Sequence, residues 1–261
     1  MKRIVSGLIR FLLRPFGLDV TRQSELEKLK AGKPAAFDMA MLLSMPAEHA
    51  TLFVQCLPDS KSQLRQDLFV LSQLDFRQNG YFVEFGATNG LELSNTYLLE
   101  KRFGWKGILA EPALCWREAL RHNRSAHIEN DCVWKVSGAS LTFNEVSAAE
   151  FSTITNYSGS DHHKAARQTG KTYNVHTISL NDLLVKYDAP RHMDYLSIDT
   201  EGSEFEILNS LDFDKYSFGV ITCEHNYTPM REKIFALLTG HGYTRKFQSL
   251  SQFDDWYVKS A

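Results

Sequence analysis

Short apolar runs recur along the chain between residues 81 and 224, and they are typical of buried parallel strands. The clearest are YFVEF (81–85), GILAE (107–111), YLSID (195–199) and GVITCE (219–224). Each is too short for a buried helix and is rich in β-branched or aromatic residues. The segments HIENDCVW (127–134) and SLTFNEV (140–146) are further strand candidates.

Amphipathic segments alternate with these strands and predict helices. The predicted helices are a segment capped by Ser62 that runs through LRQDLFVLSQL (64–74), Asn95–Arg102, Trp116–Asn123, Ser203–Leu211 and MREKIFALL (230–238). Proline at the first position, Pro229, starts the last of these, and Gly240 or Gly242 stops it. The C-terminal segments YTRKFQSL and DDWYVKS predict two strands joined by a turn.

This alternation predicts an α/β fold, a Rossmann-like, mostly parallel doubly wound sheet with an antiparallel C-terminal edge pair. The length of 261 residues suits one such domain and an extension. We therefore expect an N-terminal helical extension over residues 1–60 and a single α/β domain over residues 61–261.

The N-terminal segment MKRIVSGLIRFLLRPF has apolar residues at helical spacing among four basic ones. Arg10 and Pro15 interrupt it, so it is shorter than the roughly 20 residues that span a bilayer, and no small-x-small cleavage site follows. Two interpretations stay open: a helix that packs on protein, or a basic amphipathic helix over 2–14 that rests on a membrane surface. We accordingly expect a cytoplasmic protein, with peripheral contact at the inner membrane surface as the variant. A signal sequence or a disordered segment is the remaining alternative.

Composition narrows the class of protein. Hydrophobic residues make up 43% and charged residues 23%, which excludes global disorder, and the formal net charge of -2 shows no basic excess for nucleic acid. Clusters such as Arg121/Arg124 are interpreted as solvated faces. The cysteines form no CxxC pair and no zinc spacing, which predicts a reducing compartment without disulfides.

A glycine-containing turn follows the first predicted strand, in the sequence Glu84-Phe85-Gly86-Ala87-Thr88-Asn89-Gly90. Ligands of open α/β sheets bind outside the carboxyl ends of the strands. Gly86 permits a turn and the close approach of a ligand to the backbone. The pattern ExGxxxG is not the GxGxxG dinucleotide fingerprint, and a tight turn without a ligand is the alternative.

The second and third strands end in acidic residues. Glu111 lies 27 residues after Glu84, close to the interval of about 20 at which an acid binds the ribose hydroxyls of an adenosine ligand. A solvated strand-end glutamate is the alternative. We place the third strand end near Asp131, which would meet the adenine edge.

The densest polar signal is YLSIDTEGSEFEIL, followed by ITCEHN on the next strand. Asp199 and Glu201 crowd one strand end, and Glu204 is either a helix cap or a catalyst. Glu224 and His225 end the neighbouring strand, about 5 Å away. These groups can deprotonate a hydroxyl, or Asp199, Glu224 and His225 can bind Mg²⁺ or Mn²⁺. A polar rim without chemistry stays open.

These motifs resemble the FkbM-type methyltransferases, a branch of the class I S-adenosylmethionine (SAM)-dependent enzymes, from about Ser62 to Val258. FVEFGATNG resembles the first SAM-binding motif, ILAEP the ribose-binding strand end, and YLSIDTEGSEFEIL the most distinctive motif. The upstream run SQLRQDLFVL resembles a segment that precedes the first motif in one subgroup. The resemblance implies a class I methyltransferase fold, SAM as cofactor and O-methylation of a hydroxyl on a sugar, glycan or other natural product.

The resemblance also implies roles for residues. The cofactor-binding set is Glu84, Gly86, Ala87, Asn89, Gly90, Glu111 and Asp131. The catalytic set is Asp199, Glu201 and His225. Glu84 fills a place where many class I enzymes carry aspartate. The polar stretch 151–175 is expected to form a flexible lid over the acceptor. The rival functions are a catalytically inactive binding module in a membrane-associated glycan-assembly complex and, against the missing GxGxxG, a nicotinamide-dependent oxidoreductase.

Overall fold

A computed structural model describes residues 23–145, 153–154 and 170–260, with side chains from residue 34 onward except at 153–154. The described part of the chain forms two compact units that meet in sequence between Ser44 and Met45. The first unit contains helix α1 (Gln23–Ser44), which has Pro34 in its interior. The helix predicted over 2–14 lies outside the described residues. None of the described helices is both long and apolar enough to span a bilayer.

The second unit alternates helices and strands. Its described helices are α2 (Ala50–Cys56), α3 (Gln66–Gln73), α4 (Tyr97–Phe103), α5 (Arg117–Asn123), α6 (Leu180–Lys186), α7 (Glu204–Asn209) and α8 (Met230–Gly240). Its described strands are β1 (Tyr81–Phe85), β2 (Lys106–Ala110), β3 (His127–Glu129), β4 (Cys132–Trp134), β5 (Ser140–Glu145), β6 (Thr153–Ile154), β7 (Lys171–Ser179), β8 (His192–Ile198), β9 (Ser217–Glu224), β10 (Tyr243–Lys246) and β11 (Asp254–Lys259).

Seven strands form the central sheet in the order β10-β11-β9-β8-β1-β2-β3. The strands from β9 to β3 are parallel, and β11 pairs antiparallel with both β9 and β10. The predicted α/β fold with an antiparallel C-terminal edge pair is therefore confirmed. Apolar side chains such as Val83, Leu196 and Ile221 are fully buried because helices cover the parallel strands.

A smaller sheet of four strands has the order β4-β7-β5-β6. Its longest strand, β7, includes residues 171–175 of the predicted flexible lid, so the lid prediction is wrong for them; residues 151–152 and 155–169 lie outside the described part. The sequence KTYNVHTIS carries a strand signal that its polarity conceals. Tyr173, Val175 and Thr177 are more buried than their neighbours, in the period of two that a half-buried strand requires.

Two helix starts differ from the expectation. Helix α3 begins at Gln66 rather than near Ser62, because Arg65 adopts a left-handed conformation (φ 60°) at the turn. The Ser62 hydroxyl still accepts a hydrogen bond from the Asp67 N–H at 3.2 Å. Helix α6 was not predicted, although its N-cap Ser179 accepts from the Asp182 N–H at 3.1 Å, in the S-x-x-D pattern typical of a helix start.

Candidate active site

An open cavity lies at the carboxyl ends of β1, β2 and β8. This is the edge at which ligands of parallel α/β sheets bind. Its described lining comprises Gln63, Gln66, Glu84, Phe85, Gly86, Thr88, Glu92, Leu93, Asn95, Ala110, Glu111, Pro112, Cys132, Val133, Phe143, Ser197, Ile198, Asp199, Thr200, Glu201, Ser203, Thr222, Phe253 and Asp254. Ala87, Asn89, Gly90, Asp131, Glu224 and His225 are predicted site residues that are not part of this wall.

The glycine turn presses against the end of β8. Gly86 has φ +73°, and a Cβ there would lie 2.0 Å from the backbone oxygen of Asp199. Its N–H donates to the Ala110 carbonyl of β2 at 3.1 Å. Only glycine fits this place, because a side chain would collide with backbone that the sheet holds fixed. The turn therefore brings the ends of β1, β2 and β8 together under the cavity.

Glu84 is buried and holds the segment between the turn and α4. Its carboxylate accepts hydrogen bonds from the Asn95 N–H at 2.7 Å, from the Ser94 hydroxyl at 3.1 Å and from the Thr96 hydroxyl. The Nη1 atom of Arg124 lies 3.7 Å away. The carboxylate thus anchors the cavity wall as well as lining it.

Arg124 is the buried counter-charge of this region, which corrects its interpretation as part of a solvated face. Its side chain has 0% exposure and pairs with Glu100 at 2.8 Å. It also donates to the Ser94 hydroxyl at 3.0 Å, to the Thr96 hydroxyl at 2.8 Å and to the Gly90 carbonyl at 3.2 Å. A polar stretch in the sequence conceals this role, because burial here comes from three segments distant along the chain.

Glu111 closes the glycine turn from the side of β2. One carboxylate oxygen accepts from the Thr88 N–H and the other from the Ala113 N–H, each at 2.8 Å. Burial raises the pKa of Glu111 to about 7, against the two backbone hydrogen bonds, which lower it. The acid therefore stands at the cavity wall beside the turn, at the end of the strand where the sequence predicts it.

Asp131 does not reach the cavity. Strand β3 ends at Glu129, whose buried carboxylate accepts from the N–H groups of Asn130 at 2.9 Å and Asp131 at 3.0 Å. The chain turns there, and the following strands supply apolar wall residues instead. These are Cys132 and Val133 of β4 and Phe143 of β5.

The structure brings three carboxylates of the acidic cluster together. Asp199, Glu201 and Glu224 each offer an oxygen within 4.8 Å of the others. Burial, with repulsion by Glu204 and Glu84, raises the pKa of Asp199 to about 7, and burial, with repulsion by Asp199, raises the pKa of Glu224. Like charges this close in a buried site disfavour the ionisation of both acids at once.

The turn beneath this cluster is strained and braced. Glu201 adopts a left-handed φ of 58°, which is uncommon for a residue with a side chain. The carboxylate of Glu204 accepts from the Gly202 N–H at 2.9 Å and from the Thr200 N–H at 3.1 Å. Of the two interpretations of Glu204, these bonds favour the structural one.

His225 does not join the acids, which corrects its expected place beside Asp199 and Glu224. Its Nδ1 accepts from the Tyr227 N–H at 3.0 Å, and its Nε2 lies 3.7 Å from Asp255 Oδ1. Burial lowers the pKa of His225. Successive residues of a strand point to opposite faces, so Glu224 and His225 diverge.

Sequence reasoning missed Asp254 and Gln66 as cavity residues. Asp254 begins β11 and pairs in register with Glu224, because β11 runs antiparallel to β9. Its Oδ2 accepts from Gln66 Nε2 at 2.9 Å and from Trp256 Nε1 at 3.3 Å. Burial raises its pKa to about 7. The predicted antiparallel edge pair is the signal that places the first residue of β11 at the cavity.

The description "Methyltransferase FkbM domain" belongs to a family model that matches residues 84–256. No curated protein matches the chain. Among solved structures, the chain is similar to a methyltransferase FkbM from Methylobacillus flagellatus KT, with 10% identity, a TM-score of 0.45 and coverage of 86% of this chain and 58% of that one. It is also similar to a precorrin-6y C5,15-methyltransferase from Geobacter metallireducens GS-15, with 14% identity, a TM-score of 0.39 and coverage of 74% and 87%. The family match includes the glycine turn, Glu111 and the acidic cluster, whereas Gln63 and Gln66 precede it.

Proposed function

Because the chain belongs to the methyltransferase FkbM domain family, we propose that it transfers the methyl group of SAM to a hydroxyl group of a sugar, glycan or other natural product. The observation that carries the proposal is the cavity at the carboxyl ends of β1, β2 and β8, with Gly86 beneath it and Glu111 in its wall. Such an edge is where α/β folds bind adenosine-containing ligands.

The residues around the glycine turn fit the cofactor. Gly86 lets the turn after β1 pack directly against the backbone at the end of β8, and Glu111 offers carboxylate lone pairs to ribose hydroxyls. Asn95 lines the cavity, and its buried Oδ1 has no hydrogen-bond partner among the described residues, so it suits a donor group of a ligand. Cys132, Val133 and Phe143 offer an apolar wall for the adenine ring of the cofactor. When bound, SAM supplies an electrophilic methyl group.

The acidic cluster fits the acceptor. An alcohol is a poor nucleophile at neutral pH, so a nearby base accelerates its methylation. Asp199 lines the cavity, and an oxygen of Glu224 lies within 4.8 Å of its carboxylate. We assign the orientation of the hydroxyl and the acceptance of its proton to this pair, with Glu201 as a further acceptor of hydrogen bonds. His225 lies beside Asp255 and accepts a hydrogen bond from the Tyr227 N–H. We therefore assign it a structural role at the end of β9 rather than contact with the acceptor.

Replacing Glu111 tests the cofactor site. In calorimetric titrations with S-adenosylhomocysteine (SAH), we expect saturable binding by the wild type and a loss of about 1.4 kcal/mol or more, tenfold in affinity, in Glu111→Ala. The loss arises because the ribose hydroxyls and the turn at Thr88 lose their acceptor. The matched control is Glu118→Ala, an exposed glutamate of α5, which should bind like the wild type. A well-folded wild type that does not bind SAH would contradict the proposal.

Replacing Asp199 tests the assignment of the base. Asp199→Asn should lower methyl transfer by about 10²–10⁴-fold, the contribution of a general base, and should leave the affinity for SAH within about twofold. The measurement is tritium transfer from methyl-labelled SAM to a panel of sugars and hydroxylated natural products. Asp212→Asn, at an exposed position, is the control. Near-wild-type turnover by Asp199→Asn would show that the proton leaves by another route, and SAH binding without transfer to any acceptor would favour the binding module.

A divalent cation is a second occupant that the cluster suits. Asp199, Glu201 and Glu224 are hard oxygen donors within 4.8 Å of one another, a set that Mg²⁺ or Mn²⁺ accepts. A bound cation would offset the repulsion among these carboxylates. Transfer that is lost in EDTA and restored by either metal would support it, and transfer that EDTA leaves unchanged would exclude it.

A further inference from the structure

Carboxyl groups dominate the charge of the cavity wall. Among the described residues that line it, six are acidic and none is lysine, arginine or histidine. The acids are Glu84, Glu92, Glu111, Asp199, Glu201 and Asp254. Glu84 has a counter-charge behind the wall, since Arg124 lies 3.7 Å from it. At a pH above the raised pKa of about 7 of Glu111, Asp199 and Asp254, the described wall therefore presents an excess of negative charge to any ligand.

The unpaired polar group of the wall points to the same kind of ligand. Asn95 is about nine-tenths buried, and its Nδ2 donates to the Ser197 hydroxyl at 2.9 Å. Its Oδ1 is buried and lacks a partner among the described residues. A buried acceptor is costly to leave unpaired, so the site favours a ligand that brings donors. An ammonium group brings both donors and the opposite charge, whereas a sulfonium brings the charge alone.

Asp254 contributes its charge from β11, which is separated in the sheet by β9 and β8 from β1, the strand that precedes the glycine turn. It is 4% exposed, and the two groups that donate to its Oδ2, the Gln66 amide and the Trp256 indole, are neutral. These bonds fix the carboxylate without cancelling its charge. In a partly buried site a charge acts on a ligand several ångströms away far more strongly than it does in water.

We infer that the cavity selects its ligands by charge, so that SAM, which has a net positive charge, is retained more tightly than the uncharged product SAH, and that Asp254 is a specificity-determining residue for this selection. The inference rests on the proposed function. The wall would then act in turnover: SAH has lost the positive charge by which the acidic wall binds SAM, so the product leaves more readily than the substrate.

Three ligands of one shape and two charges test the inference. The full chain is titrated calorimetrically at about pH 8 and low salt with SAM, with SAH and with sinefungin, an analogue that carries an ammonium group in place of the methylated sulfur. The wild type should bind SAM and sinefungin at least about tenfold more tightly than SAH, a ratio that corresponds to about 1.4 kcal/mol. Asp254→Asn should lower both ratios at least about threefold, chiefly through weaker binding of the two cations.

Two further variants keep the outcome clear of folding effects. Glu92→Gln changes an exposed acid at the same wall and should lower the ratios in the same direction but less. Asp214→Asn changes an exposed acid outside the wall and should leave them unchanged. Equal or tighter binding of SAH than of sinefungin by the wild type would overturn the inference, as would ratios that neither Asp254→Asn nor Glu92→Gln alters. If none of the three ligands binds, the proposed function itself fails.

Discussion

Gly86→Ala is expected to abolish detectable SAH binding, with a loss of affinity of at least about 100-fold, or about 2.8 kcal/mol. The added methyl carbon would stand 2.0 Å from the backbone oxygen of Asp199. The neighbour is backbone at the end of a central strand, so the turn and the strand end must separate. That movement displaces the cavity floor and the carboxylate of Asp199 together.

A second glycine provides the matched control for this variant. Gly138 has nearly the same conformation, φ +77°, but a Cβ there meets nothing within 4 Å. Gly138→Ala therefore carries only the left-handed strain of about 1–2 kcal/mol. Calorimetry with SAH and urea unfolding of both variants separate the two effects. If both variants lost the same affinity for SAH and the same free energy of unfolding, left-handed strain, and not the collision at Asp199, would explain the effect of Gly86→Ala.

Arg124→Met should lower the free energy of unfolding by about 3–5 kcal/mol, the usual cost of removing one partner from a buried ion pair. The substitution leaves the carboxylates of Glu84 and Glu100 buried without their counter-charge, and the hydroxyls of Ser94 and Thr96 lose a donor. Urea denaturation at neutral pH measures the change. Arg121→Met, at an exposed position of α5, which ends just before Arg124, should lower the free energy of unfolding little. An equal loss in Arg121→Met would mean that the ion pairs are not the cause.

The dependence of this loss on pH identifies its origin. Burial alone would raise the pKa of Glu100, but Arg124 and the Ser125 N–H hold it below its ordinary value of 4.5. A depressed pKa gives stability that is present above 4.5 and is lost as the pH falls through the folded value. Without Arg124 the carboxyl protonates more readily in the folded state. The difference between wild type and variant should therefore shrink in acid, and a difference that is constant with pH would point to lost packing.

Patterns of short range predicted the sheet and the turn, and contacts of long range did not follow from them. YFVEF and YLSID predict buried strands because most of their residues are apolar. Gly86 predicts a turn because few other residues adopt its positive φ. Asp254 and Arg124 differ. Arg124 is a charged residue among polar neighbours and Asp254 is one of two consecutive acids. Charged residues are usually exposed, and each of these is buried because segments distant along the chain pack against it.

The misplaced residues share a different cause. Asp131 lies two residues beyond the end of β3, and His225 lies one residue beyond the end of β9. At a strand end, a shift of one residue in register changes the face to which a side chain points. Adjacent residues at a strand end take opposite faces, so a correct strand and a wrong face are compatible. Asp199 and Glu224 meet because β8 and β9 are neighbouring parallel strands: Glu224 is the last residue of β9, and Asp199 directly follows the last residue of β8.

The hydrogen bond from Gln66 to Asp254 joins residues 188 positions apart, and it sets when the cavity can exist during folding. Gln66, near the start of the domain, can pair with Asp254 only after nearly the last strand has been synthesised and has folded. Chains emerge N-terminus first, and pairings between distant residues form slowly. No early compact state has a complete pocket. A ligand that needs both walls can therefore stabilise only the finished fold, and its binding during refolding would time the arrival of β11 rather than the collapse of the sheet.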